Sequence, residues 1–288
     1  MSVRPPIALS IAGTDPSGGA GIHADLKTFT ALGVLGTTAV TALVAQNTHG
    51  VSRVYPIDED FVTDELDSVL NDMPVDATKT GMLGSRSLVD LVVDRASSSD
   101  FGFFTVDPVM VATSGHRLLE AEAVDSVRTR LLPVADLITP NLPEAALLLG
   151  DDVDEAQTPG QMREQARELV ARGAQAVLLK GGHARDGEVA DILVTSDGEI
   201  TEFAHPRITT ANTHGTGCTL SAAITAEAAV LRQADPGSRL SPEQVRGAVE
   251  RGLDFLARAL ASAADWQVSL DPAGAHGPVD HQVDITRR

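Results

Sequence analysis

The chain has 288 residues, of which 43% are hydrophobic, enough to bury the core of one large α/β domain. Its formal net charge of −18 argues against nucleic acid or an anionic membrane as a partner, because the long-range field repels phosphate. The single cysteine excludes an internal disulfide and a cysteine-rich zinc site, and no apolar run reaches the roughly 18 residues of a membrane span. With no signal-like segment at the N-terminus, we expect a soluble cytoplasmic protein.

Short apolar segments alternate with amphipathic patterns along the whole chain. Strands are predicted over residues 7–13, 36–47, 51–57, 76–83, 101–110, 135–141 and 176–182. Helices are predicted over residues 19–33, 58–73, 85–98, 120–131, 143–149, 159–172, 215–231 and 241–264. Residues 191–206 are predicted to form an antiparallel hairpin with a Ser-Asp-Gly turn.

Alternation of strands and helices predicts a mostly parallel sheet that helices cover on both faces. The best candidate for a domain boundary is residues 232–243, which are rich in Pro, Gly and Ser. Only one predicted helix and a tail follow it, too little for a second domain. We therefore expect a single domain over residues 1–288.

The predicted strand ends carry the most unusual residues of the chain. Loops rich in Gly, Asn, Asp and Pro follow six strands: GTDPSGGAG (13–21), AQNTHG (45–50), TGML (80–83), DPVM (107–110), TPNLPE (139–144) and KGGH (180–183). In open α/β sheets, ligands bind outside the carboxyl ends of the parallel strands. We therefore expect these loops to form a ligand site together.

Two nucleotide-binding motifs can be tested directly against the sequence. The chain has no G-x-x-x-x-G-K-[ST] segment, which excludes a P-loop nucleotidase. Residues 19–24 match the G-x-G-x-x-A fingerprint of dinucleotide-binding domains, but a long loop separates them from the preceding strand. The acidic residue expected about 20 positions later is absent, since Gln46 and Asn47 stand there. The support for a Rossmann-type oxidoreductase is therefore weak.

The segment NTHGTGCTLS (212–221) contains the only cysteine and leads into a long Ala-rich helix. Gly215 and Gly217 allow close backbone approach and present consecutive N–H groups at the helix N-terminus, where orphan donors and the helix dipole attract an anion. Cys218 in this position is expected to have a lowered pKa, which places a partial thiolate beside the anion site. The alternatives are an ordinary capped helix and a cysteine that serves as a small buried hydrophobic residue.

These segments together resemble the hydroxymethylpyrimidine/phosphomethylpyrimidine kinases of the ribokinase-like superfamily. The motifs that carry the resemblance appear in family order along nearly the whole chain: IAGTDPSGGAGIHADLKTF, VTALVAQNTHGV, TKTGML, DPVM, LITPNLPEA, LLKGGH, NTHGTGCTLSAAI and HGPVDH (276–281). The resemblance implies a three-layer αβα sandwich with a mostly parallel central sheet. It also implies transfer of the ATP γ-phosphoryl group first to the pyrimidine's hydroxymethyl oxygen and then to the resulting monophosphate.

The resemblance assigns four residues to the substrate pocket. Gln46 would hydrogen-bond the aminopyrimidine, because a carboxamide offers both a donor and an acceptor to a ring nitrogen beside an amino group. Asp25, Gly13 and Met82 would complete the pocket, with the apolar Met82 against the ring.

The resemblance also assigns the phosphate side of the site. Gly215, Thr216 and Gly217 match the anion hole of the family, with Cys218 as the catalytic group that assists the first step and holds the substrate oxygen. Other residues are assigned to the nucleotide and its metal ion: Lys180 and Asn141 to ATP, and Asp107 and Glu144 to Mg²⁺, largely through water.

Simpler roles are open for several of these residues. Asp107 precedes a proline and could form a strand-end turn, and Glu144 could be a charge at a helix N-terminus; both are expected to face solvent. Much of the superfamily has an aspartate where this chain has Cys218, and the pyrimidine kinases share the cysteine. His49, His183 and His214 lie in motif loops and are expected to be surface or capping residues without a role in proton transfer.

Three further expectations concern function and assembly. The nearest alternative is a pyridoxal or pyridoxine kinase of the same superfamily, but Gln46 favours a pyrimidine, since a pyridine ring lacks the adjacent ring nitrogen and amino group. A non-catalytic nucleotide-binding regulator is disfavoured because the acidic pair and the glycine hole are both present. We expect a homodimer that binds ATP and a small pyrimidine.

Overall fold

The structure, a computed structural model, describes residues 4–110, 119–182 and 188–285. The strands are β1 (Ile7–Ala12), β2 (Leu35–Val40), β3 (Ala42–Asn47), β4 (Gly50–Pro56), β5 (Ala77–Thr80), β6 (Phe103–Val106), β7 (Leu137–Ile138), β8 (Ala176–Leu179), β9 (Glu188–Thr195) and β10 (Ile200–Pro206). The helices are α1 (Gly21–Ala31), α2 (Glu59–Leu70), α3 (Arg86–Ser98), α4 (Ala121–Ser126), α5 (Leu142–Leu149), α6 (Pro159–Ala171), α7 (Thr216–Ala234) and α8 (Pro242–Ala263).

The main sheet has eight strands in the order β10-β9-β8-β7-β6-β5-β1-β2. Strands β1, β2 and β5 to β8 are parallel, whereas β9 and β10 form the predicted antiparallel hairpin at one edge. The carboxyl ends of the parallel strands therefore meet at one edge of the sheet, as the loop sequences predict.

Helices cover both faces of this sheet, which confirms the predicted three-layer αβα sandwich. The side chains of Ile7, Leu9 and Ile11 on β1 pack into a core with residues of α2 to α6, whereas Ala8 packs on the opposite face with residues of α1, α7 and α8. On the face that carries Ala8, the core contains many fully buried alanines of α7, whose small side chains let this helix lie close to the sheet. No helix of the three described ranges is long and apolar enough to cross a lipid bilayer.

Two predicted elements differ from the structure. Residues 36–47 do not form one strand: the chain leaves the main sheet at Thr41, and β3 pairs with β4 in a separate two-stranded sheet. The Thr41 amide donates to the Ala12 carbonyl, and the Ile57 amide donates to the Thr41 carbonyl. Main-chain hydrogen bonds therefore hold the chain where it leaves the main sheet. The predicted helix over 120–131 is α4 followed by a π turn (Val127–Leu131) and a 3-10 turn (Leu132–Val134).

Candidate active site

The glycine turn before α7 has the predicted geometry of a helix N-terminus. The helix begins at Thr216, and Gly215 is its N-cap with φ of 77°, a left-handed conformation that favours glycine. A Cβ atom on Gly215 would lie 1.8 Å from the carbonyl oxygen of Gly19, so only glycine lets the two loops touch. Within the described part of the chain, the amides of Gly215, Gly217 and Cys218 donate to no main-chain oxygen. These N–H groups form a concentrated donor site.

A buried ion pair lies directly beside this turn. Lys180, just after β8, places its Nζ 3.1 Å from Oδ1 of Asp107, just after β6. A Cβ atom on Gly217 would lie 3.3 Å from Nζ of Lys180 and 3.7 Å from Oδ2 of Asp107. The ammonium, the carboxylate and the helix N-terminus therefore meet at one point on the carboxyl edge of the sheet.

Asp107 is held as a carboxylate by its surroundings. Its Oδ1 accepts from Thr139 at 3.1 Å, and its Oδ2 accepts from Ser221 on α7 at 3.2 Å. Burial opposes ionisation of Asp107, but the ammonium groups of Lys180 and Lys79 outweigh it and hold the pKa of this carboxyl below its ordinary value. The side chain is 2% exposed, so the expectation that it faces solvent is wrong.

Asn141 and Glu144 form a reciprocal capping box at the start of α5. The Asn141 side chain accepts from the Glu144 amide at 2.9 Å, and the Glu144 carboxylate accepts from the Asn141 amide at 2.9 Å. Glu144 is 6% exposed, which again contradicts the expected solvent-facing position. Burial raises its pKa to about 7; Lys180 opposes this shift and the negative charge of Asp107 adds to it.

The donors at this edge fit a divalent cation such as Mg²⁺. Among the described residues, no three His, Cys, Asp or Glu side chains gather as a metal-binding group. Asp107 and Glu144 nevertheless lie close enough to interact, and both share the one ammonium of Lys180. Two hard carboxylates with an excess of negative charge suit Mg²⁺, which commonly binds through one or two carboxylates, waters and phosphate oxygens.

Cys218 follows Gly217 in the first turn of α7 and is half-buried. Burial raises the pKa of its thiol to about 11, although the positive charge of Lys79 acts in the opposite direction. The lowered pKa expected at the helix N-terminus is therefore wrong, because burial raises the pKa and the negative charges of Asp25 and Asp107 add to the shift. The thiol is protonated near neutral pH, with the Gly21 amide directed at its sulfur.

Asp25 lies beneath the site and does not line it. Its two carboxylate oxygens accept from Ser10 at 2.6 Å and from Nζ of Lys79 at 2.7 Å. Neither Asp25 nor Lys79 has any exposed surface. The expected contact of Asp25 with substrate stays a prediction, and the buried pair interacts electrostatically with the Cys218 thiol.

The substrate side of the site joins the first loop to the two-stranded sheet. The Thr14 amide donates to the Ala42 carbonyl at 2.9 Å, and the Thr14 hydroxyl accepts from the Val44 amide at 2.9 Å. A Cβ atom on Gly13 would lie 2.5 Å from Cε of Met82, so these two predicted pocket residues are in contact. Gln46 lies on β3 next to a bulge, not at the end of a main-sheet strand as expected.

Asp15 is the main residue of the site that the sequence interpretation did not assign. It has no exposed surface, and its carboxylate accepts from the amides of Gly19 and Ala20 at 3.0 and 2.8 Å. Interactions with His214, Ser17 and Gln46 outweigh the effect of burial and hold the pKa of Asp15 well below its ordinary value. Asp15 therefore interacts both with Gln46 on β3 and with His214, which precedes the glycine turn.

The structure places the histidines of the motif loops and the lysines of the chain as follows. His214 is half-buried, and its Nε2 lies 2.8 Å from Oδ2 of Asp15; His49 is exposed, and His183 lies outside the described residues. Lys79 could have been found from the sequence, because lysine is so rare in this chain that each one stands out. All three lysines of the chain lie at this site, where Lys27 donates to the Gly18 carbonyl.

Comparison with known proteins assigns the chain to a family. The phosphomethylpyrimidine kinase family model matches residues 15–276. The hydroxymethylpyrimidine/phosphomethylpyrimidine kinase of Escherichia coli strain K12 is 49% identical over 276 residues, which cover 95% of this chain and 96% of the relative. The chain belongs to the phosphomethylpyrimidine kinase family. This confirms the resemblance seen in the motifs and the expected enzyme class, a phosphotransferase.

Other relatives of this phosphomethylpyrimidine kinase family member extend the comparison. The thiamine biosynthesis bifunctional protein ThiED of Geobacter sulfurreducens is 44% identical over 275 residues, covering 95% of this chain and 51% of the relative. The crystal structure of an ADP complex of Bacillus subtilis pyridoxal kinase superimposes with a TM-score of 0.81 at 34% identity, covering 96% of this chain and 97% of that one. The ribokinase-like fold is thereby confirmed.

Proposed function

We propose that the protein transfers the γ-phosphoryl group of ATP to the hydroxymethyl oxygen of 4-amino-5-hydroxymethyl-2-methylpyrimidine, and a second one to the resulting monophosphate, in thiamine biosynthesis. The observation that carries the proposal is the meeting of Lys180, Asp107 and the free amides of Gly217 and Cys218 at one edge of the sheet. Such an arrangement binds transferring phosphoryl groups by positioning and electrostatics.

The pyrimidine would lie between Gln46 and Met82. The Gln46 carboxamide lies near the Asp15 carboxylate, whose pKa it helps to lower, and would offer its oxygen and its N–H groups to the edge of the ring. Met82 and Gly13 supply the apolar surface on which a flat ring can lie. The E. coli relative is named for these pyrimidine substrates, which supports the assignment.

The phosphate chain of ATP would lie between Lys180 and the start of α7. Thr216 and the amides of Gly215 and Gly217 would hold the phosphoryl group in transit, and Asn141 with Lys180 would hold the nucleotide. Asp107 and Glu144 would hold Mg²⁺, largely through water. When bound, the ion would neutralise phosphate charge and relieve the repulsion between the two carboxylates.

Cys218 would contact the oxygen that attacks. Because its thiol is protonated at rest, we assign it first to hydrogen bonding and placement of the hydroxymethyl oxygen. In the first reaction the attacking group is a neutral alcohol whose proton must leave, so a nearby acceptor helps. In the second it is a phosphate monoester that already carries about −1.5 to −2 charge at neutral pH, and no base is needed.

A pyridoxal kinase is the second candidate. It is favoured by the structural similarity to the Bacillus subtilis enzyme, whose substrate name differs although its fold is shared. The experiment that separates the candidates supplies ATP and Mg²⁺ with either the pyrimidine or pyridoxal and measures ADP release. A higher kcat/KM for the pyrimidine is expected, and a higher kcat/KM for pyridoxal would reverse the assignment.

We also propose a homodimer that works in the cytoplasm with small molecules, as a single domain over residues 1–288. Leu43 and Tyr55 form a cross-strand pair on the β3–β4 sheet and are 49% and 57% exposed, so this face offers apolar surface to a second copy. Sedimentation of the wild type and of a Leu43→Glu variant tests the dimer. Sedimentation of the wild type as a monomer at micromolar concentration would contradict it.

A further inference from the structure

The segment 276–281 lies next to the glycine turn before α7. Its His276 amide donates to the Thr48 carbonyl at 2.7 Å, in the turn between β3 and β4. The His214 amide donates to the Gly277 carbonyl at 3.0 Å, which places the segment beside the residue that precedes Gly215. The segment thus touches both the substrate side and the phosphate side of the site.

The other end of this segment is anchored on α8. The Asp280 amide donates to the Ala259 carbonyl at 3.1 Å, and its carboxylate accepts from Ser262 at 2.7 Å. Val279 is 1% exposed, so this end of the segment is buried like the core. The main-chain bond from Asp280 to Ala259 places His281, itself 3% exposed, at the first turn of α7.

His281 contacts the hydroxyl of Thr219, which holds the Gly215 carbonyl together with the Thr219 amide, itself 2.8 Å from that oxygen. Its Nε2 lies 3.1 Å from Oγ1 of Thr219, and that hydroxyl donates to the Gly215 carbonyl at 2.8 Å. A hydroxyl has a single hydrogen, so Nε2–H of His281 must be the donor to Thr219. Burial, reinforced by the positive charge of Lys27, lowers the pKa of His281 to about 4, which is consistent with a neutral ring at neutral pH.

We propose that His281 is a positioning residue for the anion hole: through the Thr219 hydroxyl it helps the Thr219 amide to hold the carbonyl of Gly215, and so fixes the backbone turn that carries the amides of Gly215 and Gly217. This inference rests on the proposed function, because it assumes that those amides hold the transferring phosphoryl group. A shift of the main chain at Gly215 would move the amides of Gly215 and Gly217, whereas the pyrimidine pocket around Gln46 would be unaffected.

Four variants test the relay. His281→Phe keeps the ring volume and removes the donor, His281→Gln restores a donor near the Nε2 position, and Thr219→Val removes the hydroxyl. The double variant His281→Phe/Thr219→Val completes the cycle. Ser262→Ala is the matched control, because it removes a bond of the same segment to α8 without touching the relay.

The readouts are turnover, the KM for the pyrimidine, and the affinity for a non-hydrolysable ATP analogue by calorimetry. His281→Phe is expected to lower turnover and analogue affinity at least about fivefold while the pyrimidine KM changes less than about twofold. His281→Gln should recover most of the loss, the double variant should be no worse than Thr219→Val, and Ser262→Ala should match the wild type.

Additive losses in the double variant, or equal losses in His281→Phe and His281→Gln, would overturn the relay. A wild type that binds the analogue but phosphorylates no pyrimidine would instead contradict the proposed function. The calorimetric comparison of the variants would then still decide the relay.

Discussion

Nζ of Lys79 lies 2.7 Å from Oδ1 of Asp25, and neither side chain has any exposed surface. The pair lies beneath the site, with Ser10 on the second oxygen of Asp25 at 2.6 Å. Two opposite charges that are fully removed from water stabilise each other only as long as both are present. The pair therefore affects both the stability of the protein and the pKa of the Cys218 thiol.

Lys79→Met is expected to lower the free energy of unfolding by about 3–5 kcal/mol, because Asp25 is left buried without a counter-charge. Lys79→Met combined with Asp25→Leu should recover part of that loss. Denaturant unfolding followed by circular dichroism measures both. Arg86→Met is the control, since its pair with Asp90 is 64% exposed on the arginine side and should contribute little. A loss no larger than the control's would mean that the pair is dispensable.

Cys218 is expected to react slowly with iodoacetamide near neutral pH, because only the thiolate is the nucleophile and burial raises the pKa to about 11. The rate should keep rising with pH beyond the ordinary thiol value of 9.0. Mass spectrometry can follow the reaction without ambiguity, as this is the only cysteine of the chain. A rate that levels off below that ordinary value would show a thiolate stabilised by the helix after all.

Cys218→Ala should slow the first phosphorylation by about 10²-fold, the lower end of acid–base effects, because the protonated thiol is a weak acceptor at rest. The second phosphorylation should change much less, since Gly215 and Gly217 keep their amides and the monophosphate needs no base. Each half-reaction is measured separately with its own substrate. Equal losses in the two steps would identify the thiol as a packing residue.

Gln46→Leu keeps the side-chain volume but leaves the polar edge of the pyrimidine unpaired. The KM for pyrimidine should rise at least about tenfold, the effect of losing about 1–3 kcal/mol of hydrogen bonding, while ATP affinity is retained. Steady-state kinetics and calorimetry give the two quantities. Ser52→Ala on the neighbouring strand, which removes an exposed hydroxyl, serves as the control. An unchanged pyrimidine KM would place Gln46 outside the pocket.

Asp107→Asn and Glu144→Gln should each raise the Mg²⁺ concentration required for half-maximal activity and lower turnover. Activity is titrated with Mg²⁺ at fixed ATP, and a thermal melt of each variant confirms folding. The control is Glu168→Gln, whose carboxylate on α6 is exposed and pairs with Arg172 on the surface. Wild-type activity at limiting Mg²⁺ in either variant would assign that residue to the strand-end turn or the capping box alone.

The local sequence was sufficient for most of the fold. Strand–helix alternation predicts the parallel sheet, because apolar runs bounded by Gly and Pro must be buried on both faces. Loop composition predicts the carboxyl edge, where Asp107, Asn141 and Lys180 do meet. The turn before α7 was also predictable from its glycines, since the φ of 77° at Gly215 is a left-handed conformation that favours glycine.

The tertiary structure decided what the local pattern does not contain. The interruption of the strand at Thr41 depends on hydrogen bonds to the first loop and places Gln46 in a separate sheet. The protonation state of Cys218 depends on residues distant in sequence, because burial raises the pKa of its thiol and the carboxylates of Asp25 and Asp107 add to the shift. The partners of Asp25 and Thr219 lie 54 and 62 positions away, at Lys79 and His281. Periodicity and motif spacing carry short-range information, whereas desolvation and charge pairing depend on which distant segments fold together.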